Sequence, residues 1–214
     1  MERERAVDRL ESLVDRVASE PMPVPVREVW AFGDVALGLD PVERLDVYLT
    51  KDVIMGGDAD AAAEFAAEYG VQGVGTTVDA EWARAHPDRV RTSDNGYAAP
   101  EKCLAAELVQ DDMPIHLEVC NASFEDNVRQ RLKGALARDA YEEVLDPRGV
   151  CLWVDGTRDE EAFERLREAS LAMPTLPAAL GMLGADEDAA NAAADVLKRR
   201  RAEQEGASVR GDMV

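Results

Sequence analysis

The segment "LDVYLT" sets Asp46 between apolar neighbours, and "PIHLEVCN" does the same for His116 and Glu118. Alternate residues of a strand share a face. Leu45, Val47 and Leu49 would then face a core, with Asp46 and Tyr48 on the opposite side. In the second segment Ile115, Leu117 and Val119 take one face, and His116, Glu118 and Cys120 the other. If the two strands are neighbours, Asp46, Tyr48, His116 and Glu118 form one polar cluster. Imidazole and carboxylate groups together can hold a divalent metal ion or exchange protons. Asp46, His116 and Glu118 are therefore the catalytic candidates. The bland alternative is the solvated outer face of an amphipathic sheet, with a hydrogen-bonded histidine.

Upstream, "WAFGDVALGLDP" places Gly33, Asp34 and Gly38 between two strand-like runs. Backbone amides at such a turn can cradle phosphate groups, which makes these three the cofactor-binding candidates. Asp and Gly also make ordinary turns, so the stretch could do no more than join two strands. Other signals are weaker. "GVQGVG" has the wrong spacing for a dinucleotide fingerprint. "KRRR" at Lys198–Arg201 suits the carbonyl end of a helix better than a nucleic acid. His86 and His116 are the only histidines, so a histidine-based triad has few candidates.

The elements that must position these residues are legible from periodicity. Val7, Leu10, Leu13, Val14 and Val17 have helical spacing, which "EPMPVPV" ends. Glu28–Phe32 and Leu45–Thr50 are rich in branched and aromatic residues and predict strands. Asp58 caps an alanine-rich helix that Gly70 ends, a short strand follows over 71–78, and a small helix runs over 80–85. Pro100 suits the first turn of a helix reaching Val109. Pro114–Cys120 predicts a strand. Ser123 and Asp126 open a helix with Phe124, Val128, Leu132 and Leu136 on one face. Val150–Val154 predicts another strand, and Thr157 with Glu160 opens the next helix over Ala162, Phe163 and Leu166. Past Met173 the composition shifts, and two short helices around Gly184 precede a polar tail. The expected architecture is an α/β or α+β core over 1–172, with a C-terminal helical appendage and tail over 173–214.

The 214 residues carry a net charge of -20, with 44 carboxylates against 24 basic side chains, yet 46% are hydrophobic. Disordered acidic chains lack that apolar patterning, so this chain folds. Only four of its bases are lysines. An acidic, lysine-poor surface suits concentrated salt, where the Debye length is about 3 Å at 1 M and self-repulsion is screened. Nucleic-acid binding built on counterion release would fade there. Cys103, Cys120 and Cys151 form no CxxC motif, which fits a reducing cytoplasm. "MERERAVDRL" does not read as a signal peptide, and no apolar run predicts a membrane span.

Gly33-Asp34, then Asp46-Val47-Tyr48-Leu49, then Leu117-Glu118-Val119 resembles, in order and spacing, the signature of the nucleotidyltransferase superfamily. The resemblance covers about 29–119 and implies a nucleotidyltransferase-like mixed sheet with helices. It also implies phosphates at the glycine turn, and magnesium or manganese held by Asp46 and Glu118. Two positions depart from that pattern. The serine expected after the glycine is Asp34, and the second carboxylate of the strand motif is Tyr48. End to end, through "PVPVREVW", "DVALGLDP", "HLEVCN" and "LDPRGVCLW", the chain also resembles an uncharacterised family of acidic haloarchaeal proteins. The combined expectation is a cytoplasmic, halophilic, archaeal binding or regulatory module with a degenerate catalytic motif and a nucleotide or protein partner. Two alternatives stay open. One is a metal-dependent enzyme using Asp46, His116 and Glu118. The other is a structural protein whose C-terminal helices dock a partner.

Overall fold

The computed structural model of the chain describes residues 1–19, 22, 26–51, 100–109, 114–204 and 206–211. The elements expected over 58–85, with His86 and "GVQGVG", lie outside the described residues. In chain order the structure has α1 (Arg3–Ser19), β1 (Val26–Phe32), β2 (Leu45–Lys51), α2 (Pro100–Leu108), β3 (Ile115–Cys120) and α3 (Phe124–Arg138). Then come β4 (Gly149–Val154), β5 (Thr157–Arg158), α4 (Glu160–Glu168), α5 (Leu176–Met182), α6 (Glu187–Ala202) and β6 (Ala207–Gly211).

The strands form one mixed six-stranded sheet, ordered β5-β4-β1-β2-β3-β6. β1 runs antiparallel to both β2 and β4, whereas β2, β3 and β6 are mutually parallel. The β2–β3 register sets Asp46 opposite His116, Val47 opposite Leu117 and Tyr48 opposite Glu118. The expected neighbourhood of the two strands is therefore present. Leu45, Val47, Leu49, Ile115, Leu117 and Val119 are all buried, as their alternation predicts. They share a core with the apolar faces of α1 and α4 and with Leu104, Ala105 and Leu108 of α2.

The opposite face is not solvated. Every residue of β2 and β3 is buried, the polar ones included. Helix α3 covers this face, and the ring of Phe124 packs among Trp30, Phe32 and Tyr48. A side chain at Gly149 would meet that ring at 2.7 Å, so glycine there lets Phe124 seat on the sheet. Leu132 and Ala135 of α3 also pack against Leu180 of α5 and Ala190 and Ala193 of α6. A solvated face was the wrong expectation because strand alternation reports polarity, not what later helices will cover.

Local signals fared well where capping chemistry is specific. The Ser123 hydroxyl accepts from the Asp126 amide at 3.2 Å and starts α3. Thr157 does not open α4. It lies in β5, and the Asp159 side chain caps the helix instead, accepting from Ala162 at 3.0 Å. Gly184, at φ +101°, separates α5 from α6, but α6 runs for 16 residues and is not short. The supposed polar tail is strand β6. Its alternation, Ala207 and Val209 against Ser208 and Arg210, is the strand signal that its polar residues obscured.

Candidate functional site

β1 ends at Phe32, and the chain turns at Gly33 with φ +67°. The Leu37 amide donates to the Gly33 carbonyl at 2.9 Å and the Leu39 amide to the Asp34 carbonyl at 3.0 Å, making a compact helical turn. Gly33 is required by a close approach. A β-carbon there would lie 2.2 Å from Asp46 Oδ2 and 2.7 Å from Arg201 Nη1. Gly38, at φ +75°, instead lies against Ala169 at the end of α4. Arg3 fastens this turn to α1, donating to the carbonyls of Val35 at 2.9 Å and Leu39 at 3.2 Å.

Asp34 faces inward and does two things. Its Oδ2 accepts from the backbone amides of Glu43 at 3.0 Å and Arg44 at 3.4 Å, which orients the entry to β2. Its Oδ1 lies 2.8 Å from Arg201 Nη2. Asp46 is fully buried beside it. Arg44, two residues back and just ahead of β2, donates to Asp46 Oδ1 through Nε at 2.8 Å and Nη2 at 2.5 Å. Arg201 Nη2 also lies 2.8 Å from Asp46 Oδ2. That nitrogen has hydrogen-bond alignment with neither carboxylate, so Asp46 Oδ2 accepts no hydrogen bond. Burial accordingly raises the Asp46 pKa above the ordinary carboxylate range, against the pull of Arg201, Arg44 and His116.

Glu118 is shifted the other way. Burial alone would push it up. The hydrogen bond and charge of His116, with the charges of Arg131 and Arg210, outweigh burial and hold it well below the usual range. The geometry explains the contrast with Asp46. Glu118 Oε2 accepts from Arg131 Nη2 at 2.9 Å, and Oε1 lies 3.1 Å from His116 Nε2 and 3.7 Å from Arg210 Nη1. Arg210, from β6, also pairs with Glu143. Arg131 continues a buried chain: its Nε donates to Asn127 Oδ1 at 3.1 Å, and Asn127 Nδ2 donates to the Tyr48 hydroxyl at 2.8 Å. Tyr48 donates in turn to the Ala122 carbonyl at 2.7 Å. The remaining nitrogen of His116, Nδ1, lies 2.7 Å from Ser208 Oγ on β6.

These groups meet at a cavity of about 990 Å³ on the α3–α6 side of the sheet. Asp34, Asp46, His116 and Glu118 all line it, and so does Arg201. Gly33, Gly38 and Tyr48 are not among its lining residues. Four of the candidate residues thus line one cavity, while Gly33 and Gly38 serve the turn. Arg44, Arg131, Arg201, Arg210 and Ser208 were missed in the sequence. Ser208 and Arg210 had a local signal, the alternation of β6, and Arg44 lies just ahead of β2, two residues from Asp46.

The donor set does not fit magnesium or manganese. Asp46 and Glu118 are already engaged by guanidinium groups, and the Tyr48 hydroxyl is committed to α3. Among the described residues no cluster of three or more His, Cys, Asp or Glu side chains is arranged to hold a metal ion. Among the described residues, too, no helix is long and apolar enough to cross a membrane.

Compared with known proteins, the chain matches the model of a family of unknown function, DUF7095, over residues 2–214. No curated protein and no solved structure matches it.

Proposed function

We propose that this chain, which belongs to the DUF7095 family, is a nucleotidyltransferase-like module that binds a small organic ligand without metal chemistry. One observation carries this reading: the carboxylates of the signature line a ligand-sized cavity, and arginines neutralise them. Small-molecule pockets run to about 1,000 Å³ and combine apolar walls with a few placed polar groups. Phe32, Leu37, Leu39, Leu176 and Leu197 supply the apolar part here. The acidic, lysine-poor composition supports a salt-rich archaeal cytoplasm as its setting.

A thermal-shift screen in molar KCl, with nucleotides and other metabolites, tests this reading. A stabilising ligand is expected, and its effect should be the same with manganese or with chelator. Nucleotide transfer that depends on magnesium or manganese would overturn the reading.

A second reading rests on Ser208, His116 and Glu118. A serine hydroxyl within reach of an imidazole that a carboxylate orients is the arrangement for nucleophilic catalysis. It stands second because Glu118 also serves Arg131 and Arg210, which disperses its charge. Ser208 also lies in a regular strand, not at a sharp turn. A fluorophosphonate probe with peptide mapping tests it. An adduct on Ser208 supports hydrolysis, and an unlabelled Ser208 removes it.

A further inference from the structure

We propose that the Asp34–Asp46 carboxylate pair is a cation subsite of the cavity, filled in cis by Arg201. The ligand is then an organic cation, with an alkylguanidinium or alkylammonium head on an apolar body, that enters by displacing Arg201. This rests on the reading that the cavity binds a ligand, and names that ligand's chemistry.

The subsite is shaped for a guanidinium. Only the missing side chain of Gly33 leaves room for it, since a β-carbon there would stand 2.7 Å and 3.0 Å from the two terminal nitrogens of Arg201. The incumbent fits imperfectly. Asp46 Oδ2 is buried against Gly33 and 2.8 Å from Arg201 Nη2, yet accepts no hydrogen bond. Arg201 Nη2 sits 2.8 Å from both carboxylates without alignment to either. Arg201 belongs to the last turn of α6, so its head cannot turn freely while its backbone is held. A free guanidinium can orient both donor edges and form aligned, charge-assisted bonds. Arg201 is also 27% exposed, which leaves it a way out toward solvent.

Charge favours a cation over a phosphate. Among the described residues the cavity is lined by six carboxylates (Asp34, Glu43, Asp46, Glu118, Asp146, Asp195) against five Lys and Arg side chains and His116, so removing the charge of Arg201 leaves it acidic. When Arg201 swings away, an entering cation replaces its charge, whereas an anion would face Asp34 without a cationic partner among these residues and Asp46 with Arg44 alone. The chain's net charge of -20 adds attraction of the same sign. The apolar wall at Phe32, Leu37 and Leu39 accounts for the body of the ligand.

The test titrates butylguanidinium, butylammonium and butyrate into the full chain, into Arg201→Ala, and into Arg201→Ala/Asp46→Asn. Arg201→Ala is expected to bind butylguanidinium at least about tenfold more tightly than the parent, because no side chain in cis then competes for the two carboxylates. Its lowered melting temperature should rise back toward the parent's on saturation. Butylammonium should bind less tightly, butyrate not at all, and the added Asp46→Asn should erase the gain. A butylguanidinium affinity no higher in Arg201→Ala, or a gain that survives Asp46→Asn, overturns the proposal. If Arg201→Ala does not fold, the Arg201 Nε resonance of the parent decides. It should move on titration with butylguanidinium, and a fixed resonance overturns the proposal. Should a nucleotide or another neutral or anionic compound fill the cavity while the cations do not, this inference falls and the binding reading stands. If no compound of either kind binds, the binding reading falls with it.

Discussion

Glu118→Gln is expected to destabilise the fold by about 3–5 kcal/mol at neutral pH, the usual consequence of removing one partner from a buried ion pair. Glu118 is 1% exposed and stands between Arg131, Arg210 and His116. Glutamine keeps the shape and two hydrogen-bonding atoms but removes the charge. Two guanidinium groups, Arg210 buried and Arg131 half-buried, are then left under-compensated. Arg210 would still have Glu143, so the loss should fall mainly on Arg131 and on the packing of α3. The pH dependence follows from the direction of the shift. The fold holds Glu118 more acidic than the unfolded chain does. Its contribution is therefore complete above the ordinary glutamate pKa of about 4.3 and is lost as pH falls toward the folded value. Parent and variant should converge as pH falls through that range. Denaturant melts at fixed salt, at pH 7 and at pH 3, measure both features. A neutral-pH difference below about 1 kcal/mol, within the range of exposed pairs, would mean the Glu118 cluster contributes no more than a surface contact.

Leu117→Ala, one residue earlier, should cost about 2–5 kcal/mol for the opposite reason. Leu117 has no exposure and lies between Val47 of β2 and Val209 of β6. Its core is continuous with α1 and α4, so neighbouring side chains have little freedom to close the space left behind. The loss combines transfer of apolar surface with a residual cavity, and involves no titratable group. Its size should therefore be flat with pH, where that of Glu118→Gln is not. Urea unfolding should show a lower midpoint at an unchanged slope. A cost under about 1 kcal/mol would mean that the β3 register described here is wrong.

These adjacent residues mark the limit of what could be read in advance. Strand alternation separated Leu117 from Glu118 and Val47 from Asp46 correctly, because side-chain direction along a strand is a local property. Caps at Ser123, the helix of Val7–Val17 and the strand boundaries near β1 to β4 were legible for the same reason: each depends on residues a few positions apart. The mixed α/β class followed from the order of those elements, and the acidic composition was evident at once.

What surrounds Asp46 and Glu118 was decided by partners distant in sequence. Arg201 reaches Asp34 and Asp46 from the far end of α6, and Arg210 reaches Glu118 from β6. Nothing near Asp46 foretells a guanidinium from 155 positions downstream, the difference between residues 46 and 201. Residues 207–211 pair with β3 because its outer edge is open to a parallel strand, a condition that exists only once the sheet has formed. Sequence alone therefore determined which residues are polar and which way they point. Tertiary structure decided whether those polar groups meet water, metal or arginine, because a buried carboxylate's chemistry is set by the charges folded against it.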